Sequence, residues 1–286
     1  SRQVFRCLST GITAMRLPLA AAAGVHAATH AVGSAAGVAW WMCPDGASPP
    51  SPAAGGCHFP ATVPGTVFAN ELESGVYGFA DPFVDMRLQE VPDISQVGAE
   101  YFTRWFVGDL QAVANQLPSV PGQTVWLKFH GINYRAAVFM NGEKIGTHSG
   151  MFQRKEWDVT SVVQKSATTL LQVRVQPPDF PGLNQSSGQC ASNASWPAGQ
   201  GGDHDIARNG PVMQMSAGWD WIQATPDRNT GIWDAVELIV TGPMRLRDTT
   251  VRTTFTTVSR AQARAKPLAQ GDMQLSVAVD MAGRAS

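Results

Sequence analysis

Two short stretches hold the residues best suited to chemistry. Gly218-Trp219-Asp220-Trp221 sets a carboxylate between two indoles, and Asp227-Arg228-Asn229-Thr230-Gly231-Ile232-Trp233-Asp234 adds two carboxylates around a guanidinium. An ionised carboxylate accepts two or more hydroxyl donors, and such charge-assisted bonds are stronger than neutral ones. An indole face covers the apolar C–H face of a hexose, and its N–H donates to an oxygen. Asp220, Trp219 and Trp221 therefore have the chemistry to hold a hydroxyl-bearing ligand; the alternative for either ring is a place in a core. Arg228 is expected to bond bidentately to Asp227, Asp234 or Asp220 and so fix the loop. That gives Asp227, Arg228, Asn229 and Asp234 a supporting part rather than contact with a ligand. His204 lies between Asp203 and Asp205, but no second His is near it in sequence. A hydrogen-bonded loop turned by Gly201 and Gly202 is expected there, with no metal and no cofactor. Cys7, Cys43, Cys57 and Cys190 lack C-x-x-C spacing, which argues against zinc. Cys43 and Cys57 are able to pair across a Pro/Gly-rich loop, which their spacing alone does not decide.

The elements that would position these residues read as short strands. Tyr101-Phe102-Thr103-Arg104-Trp105-Phe106-Val107 and Val125-Trp126-Leu127-Lys128-Phe129 alternate, as half-buried strands do. Ala136-Ala137-Val138-Phe139-Met140 runs into Asn141-Gly142, the strongest short hairpin signal, with a return strand over 143–148. Leu170 to Val175 is a further strand stopped by Pro177-Pro178, and Val236 to Val240 closes the set. Trp157-Asp158-Val159-Thr160 reads as a turn in which Asp158 bonds nearby backbone amides. Short strands joined by turns, with no helical period, predict a β-sandwich. Beyond Gly242-Pro243, the runs Thr250 to Phe255 and Met273 to Val279 read as strands of a second β unit. Two strands do not make a stable sandwich alone.

The wider composition agrees. In 286 residues, 21 Lys and Arg stand against 22 Asp and Glu, a balance that argues against nucleic-acid and polybasic membrane partners. With 28 Gly and 19 Pro the chain favours turn-rich β structure over a helical bundle. Nine Trp suit sugar or peptide binding as well as a core. The first acidic residue is Asp45, and Arg16 followed by Leu17-Pro18-Leu19 and four Ala looks like a signal or transit sequence. Gly24, His26 and His30 interrupt it, so it is too short and polar to span a bilayer. Residues 1–60 are therefore expected as an Ala/Pro-rich leader or linker with room for a first strand, and a Pro/Gly/Ser loop from Pro44 to Pro60. Sequons at Asn184 and Asn193 permit a secretory or vacuolar compartment. The chain opens on Ser1 and stops soon after a strand-like run, and is expected to be a fragment.

The pair of motifs around Asp220 and Arg228, with Gly201-Gly202-Asp203-His204-Asp205-Ile206 before them, resembles glycoside hydrolase family 2. The similarity is to its β-mannosidase, mannosylglycoprotein endo-β-mannosidase and exo-β-glucosaminidase branch. Val63-Pro64-Gly65-Thr66-Val67, Asp81-Pro82-Phe83, Asn133-Tyr134, Asn141-Gly142 and Pro177-Pro178-Asp179 fall in the family's order. The resemblance runs from about Val63 to Val279. It implies an all-β chain: a galactose-binding-like jelly-roll sandwich over 61–244, then the start of an immunoglobulin-like sandwich over 245–286. It also implies a catalytic (β/α)₈ barrel beyond, carrying the two glutamates of a retaining mechanism. No alternating strands and helices exist here to build that barrel. Asn70-Glu71 resembles the dipeptide that holds the family's acid/base, but it follows Val63 to Val67, far from any barrel strand, and reads as coincidence. No residue of this chain is thus assigned a catalytic role. The resemblance implies that Asp220 reaches toward the barrel pocket and binds a sugar hydroxyl. It makes the chain the non-catalytic, sugar-binding front of a β-mannosidase-like glycosidase, with a β-mannoside or β-glucosaminide and the missing barrel as partners. The alternatives are a stand-alone carbohydrate-binding module and an inactive gene relic.

Overall fold

The computed structural model describes residues 2–9, 28–52, 55–57, 59–82, 87–117, 122–165, 168–178, 212–217, 224–242, 244–255 and 273–283. In chain order its strands are β1 (Arg2–Ser9), β2 (Ala28–Ala31), β3 (Trp40–Pro44), β4 (Phe59–Ala61), β5 (Gly65–Thr66), β6 (Arg104–Asp109), β7 (Thr124–Phe129), β8 (Arg135–Met140), β9 (Glu143–Ser149), β10 (Lys155–Asp158), β11 (Leu170–Gln176), β12 (Gly231–Ile232), β13 (Val236–Thr241), β14 (Met244–Phe255) and β15 (Met273–Gly283). The α-helices are short: α1 (Val67–Glu73), α2 (Ile94–Val97), α3 (Gln111–Ala114) and α4 (Thr160–Lys165). None among the described residues is long and apolar enough to cross a membrane.

The chain divides into two compact units. One takes Thr29–Ser119 and Val125–Ile239 and is a jelly-roll sandwich. Its six-stranded sheet has the order β4-β3-β6-β11-β8-β9, its four-stranded sheet β10-β7-β13-β2, and β12 and β5 pair separately. Alternation along each strand decides which side chains form the core. Val125, Leu127 and Phe129 of β7, Val138 and Met140 of β8, Val173 and Val175 of β11, and Val236 and Leu238 of β13 are buried. The β8–β9 hairpin turns at Asn141 and Gly142, with Met140 opposite Glu143. Both turn residues have positive φ, 53° and 81°, as the Asn-Gly dipeptide predicts. The Asn141 side chain locks the turn to the strand behind it, donating to Thr168 O and accepting from the Leu170 N–H.

The other unit takes Ser1–Ala28, Val120–Thr124 and Val240–Ser286. It holds a three-stranded antiparallel sheet of order β1-β15-β14. β15 pairs with β1 from Arg2↔Asp280 to Ser9↔Met273, so the two strands read from sequence in this unit are joined by a third from the start of the chain.

Several local expectations change. The segment before residue 61, expected as leader or linker, supplies β2, β3 and β4 to the sandwich sheets, with Trp40 and Met42 buried. The Pro/Gly-rich loop after β3 folds back on the six-stranded sheet instead of running free. A Cys43–Cys57 disulfide closes it. Trp105 Nε1 donates to Gly46 O, Gln172 Nε2 donates to Pro50 O, and Arg174 grips Asp45 with two bonds of 2.6 Å. This covers the outer cluster of Cys43, Trp105 and Val107, which the local pattern of a polar loop does not reveal. The strand expected from Tyr101 starts at Arg104, because Ala99–Phe102 is a 3₁₀ turn. The expected turn at Trp157 is the end of β10 followed by α4, and Asp158 accepts from the Thr160 N–H as foreseen.

Candidate functional site

The candidate site is built around the turn Thr225–Thr230. Arg228 and Asn229 both lie in the left-handed region, at φ 52° and 58°. Residues other than glycine rarely hold that conformation in succession, so the surroundings must over-determine it. Asn133 does much of this. Its Nδ2 donates to Arg228 O at 2.7 Å and Asn229 O at 2.9 Å, and its backbone exchanges two 2.8 Å bonds with Gly231. The Asn133–Tyr134 peptide bond is cis.

Arg228 is fully buried. Its fork closes on Asp93, Nη1 to Oδ2 at 2.8 Å and Nη2 to Oδ1 at 3.0 Å, and Nη1 also donates to Thr225 O. The expected bidentate grip is therefore present on a partner that the sequence reading did not name. Asp93 in turn caps α2 by accepting from the Ser95 N–H, while the Ile94 N–H donates to Pro226 O. Asp227, also fully buried, accepts from the Phe68 N–H and the Asn229 N–H. With Thr230 O accepting from the Val67 N–H and the Thr66 hydroxyl accepting from the Ala69 N–H, the first N–H groups of α1 are satisfied. Burial pushes the Asp227 carboxyl up to about 6, against the opposing pull of its two N–H bonds. Asp234 is half-buried and accepts from the Ala235 N–H.

Helix α1 uses up the Asn70-Glu71 dipeptide. Asn70 accepts from the Thr62 N–H and donates to Thr62 O and Thr66 O. Buried Glu71 accepts from Arg104 at 2.7 Å and from the Tyr77 hydroxyl at 2.6 Å. Burial, then Glu71, drives the Tyr77 phenol far above its ordinary value, so it stays a neutral donor.

Trp233 follows β12 out of the turn. Its Nε1 donates to Met151 O at 3.0 Å, and its ring lies on Gly131, where a Cβ would stand 2.5 Å from a ring carbon. Phe152 meets it edge-on, with centroids 6.0 Å apart. Next to them the Met213 N–H points at Met151 Sδ, and Thr225 bonds Ser216 O through both its N–H and its hydroxyl.

Trp219, Asp220 and Trp221 lie outside the described residues, as do Asp203, His204, Asp205 and both sequons. Their flanks do not: Ser216 and Thr225, on either side of the segment that carries Asp220, are hydrogen-bonded to each other. Of the expected site residues the structure therefore brings together Asp227, Arg228 and Asn229 in one turn, with Asp234 just after it. Sequence reading missed Asp93 and Asn133. Asp93 carried a signal, since Pro92-Asp93-Ile94-Ser95 has the form of a helix cap. Asn133 was noticed only as part of the Asn133-Tyr134 motif, because its bracing of Arg228 and Asn229 depends on a chain segment far away in sequence. Among the described residues no group of three His, Cys, Asp or Glu could hold a metal ion.

Comparison with known proteins places this architecture. The family model described as glycosyl hydrolase 2 galactose-binding domain-like matches residues 44–234. The chain is 36% identical over 195 residues to a mannosylglycoprotein endo-β-mannosidase of Lilium longiflorum, covering 68% of this chain and 19% of that protein. It is 30% identical over 243 residues to an exo-β-D-glucosaminidase of Streptomyces avermitilis, covering 82% of this chain and 22% of that one. It thus spans about a fifth of the length of these relatives. An exo-chitosanase structure from Amycolatopsis orientalis shares the fold, with a TM-score of 0.53 and 20% identity over 90% of this chain and 29% of its own. A match over residues 44–234, which takes in strands of both sheets and the Thr225–Thr230 turn, assigns the chain to the glycosyl hydrolase 2 galactose-binding domain-like family.

Proposed function

We propose that this chain is the sugar-binding, non-catalytic front of a β-mannosidase-like retaining glycosidase. Its Asp220 completes a substrate pocket whose two catalytic glutamates stand on a barrel supplied by further polypeptide. The substrate is a β-mannoside or a β-glucosaminide. Asp220 accepts hydroxyl hydrogen bonds as the ring distorts toward an oxocarbenium-like transition state, where such bonds are worth several kcal/mol. Trp219 covers a sugar face, Trp221 stands beside it, and Asp227, Arg228, Asn229 and Asp234 hold the loop. In this reading β14 and β15 begin an immunoglobulin-like sandwich between the jelly roll and the barrel.

The observation that carries the reading is the match over residues 44–234, which contains the motif around Asp220 together with the turn that braces its flank. Buried Arg228 and Asp227 give that turn a rigidity that binding of a sugar would use. The reading predicts the kinetics of Asp220→Ala in the longer enzyme. Losing a charged hydrogen-bond partner costs about 1.5–3 kcal/mol, which is roughly 10- to 150-fold in kcat/KM. Asp220→Asn should also be impaired, because a neutral amide accepts more weakly. Thermal melts run beside the kinetics decide the matter: unchanged kcat/KM, or a loss that tracks unfolding, refutes the role.

A further inference from the structure

The fold leaves large apolar groups in water close to the flanks of the segment that carries Asp220. Phe152 is 50% exposed, and Met213, whose N–H reaches the sulfur of the neighbouring Met151, is 39% exposed. Trp233, half-buried, is held from two sides by its Nε1 bond to Met151 O and by the close floor at Gly131. Phe152 leans edge-on against that fixed indole at 6.0 Å. Rings held in place before a ligand arrives lose little freedom on binding, which is where a rigid aromatic surface gains affinity. The apolar C–H face of a pyranose is the ligand surface that such a ring covers. The position agrees as well. The backbone of Met151 touches both Trp233 and, through its sulfur, Met213, and the same short segment reaches Thr225 through Ser216.

We propose that Phe152, backed by Trp233 and with Met213 close by, is a stacking platform for a pyranose ring of a β-linked saccharide. This rests on the sugar-binding reading above, and adds to it a second contact that Asp220, Trp219 and Trp221 do not supply. The platform belongs to this chain alone, so it should bind without the barrel.

The test is titration of β-1,4-mannotriose and of β-1,4-linked glucosamine trisaccharide into the whole chain, followed by calorimetry and tryptophan fluorescence. At least one of them should bind. Phe152→Ala and Phe152→Leu should each weaken binding about tenfold, an ordinary worth for a lost ring contact, at unchanged melting temperature, and Phe152→Tyr should restore it. The leucine variant keeps apolar bulk and loses the ring, so an equal loss in both identifies stacking. Wild-type affinity in Phe152→Ala overturns the platform, as does a wild-type chain that binds neither saccharide. The second result leaves the role of Asp220 standing, because that role belongs to a pocket completed by the barrel. Binding abolished by Asp220→Ala and untouched by Phe152→Ala would overturn the platform and support Asp220. The reverse pattern would support the platform and remove Asp220 from it.

Discussion

Arg228 and Asp93 form a buried ion pair, with side chains 0% and 6% exposed. Pairs of this kind contribute little net stability when intact, yet breaking one strands a charge and costs about 3–5 kcal/mol. Arg228→Ala should therefore unfold at much lower urea. Arg228→Lys should recover only part of the loss, since an ammonium cannot fork across two carboxylate oxygens. A double-mutant cycle with Asp93→Ala should return a coupling of about 0.5–3 kcal/mol; additive single effects would show that the fork carries no energy. Asp227 makes a different prediction. Its carboxyl lies near 6 in the folded chain, above the ordinary 3.8. Between those values the folded chain holds a proton that the unfolded chain has released. The stabilisation from this group is therefore full below about pH 4 and is lost as pH rises through about 6. At about 1.4 kcal/mol per pH unit the loss is about 3 kcal/mol. Asp227→Asn removes the titration, so the stability of wild type relative to Asp227→Asn should fall by that amount between about pH 4 and pH 7. Urea unfolding of both proteins at the two pH values measures it, and a difference independent of pH would refute the raised carboxyl.

At the scale of elements, the disulfide shows how a loop without secondary structure becomes part of the fold. Cys43 ends in the packed cluster with Trp105 and Val107, and Cys57 lies 14 residues on. Closing a loop of that size removes unfolded-state freedom worth about 3 kcal/mol. Cys57→Ser should lose about that much, and a reducing agent should lower wild type to the same level while leaving the variant unchanged. Equal stability with and without reductant in wild type would mean that the pair is not formed. The cysteines were visible in sequence as able to pair, but the sheet face that the loop covers was not. The same divide runs through the other elements. β7, β8, β11 and β13 were legible because inward and outward residues alternate within a single short window. α1 and α2 were not, because they are too short to be stable alone, and beside their local caps each also needs an acceptor far away in sequence, Asp227 for the Phe68 N–H and Pro226 for the Ile94 N–H. The Phe68 N–H finds Asp227 at a separation of 159 residues, and Arg228 finds Asp93 at 135. The supporting part of the Asp227–Asn229 turn could be read from its residue types; the identity of its partners required the fold.

For the whole molecule, the strands of both sandwich sheets and the small β12–β5 pair all fall between Ala28 and Thr241. The buried ion pair, the Asp227 caps and the disulfide lie inside the same limits. The core residues from Val32 to Val240 come from these strands and from the short helices and loops between them. A domain with its own core and its own buried ion pair is expected to fold alone. A chain cut to residues 28–241 should therefore keep a single cooperative thermal transition and the near-ultraviolet circular dichroism of packed tryptophans such as Trp40 and Trp105, both buried in the sandwich. The strands removed, β1, β14 and β15, form their own sheet of order β1-β15-β14. Protease added to the whole chain makes the same division from the other side, since a three-stranded sheet is small for independent stability. Cleavage near Gly242 that leaves a resistant sandwich is the expected pattern. A truncated chain with no cooperative transition, or a whole chain whose β14 and β15 resist protease as long as the sandwich does, would mean that the second unit is needed to hold the first together.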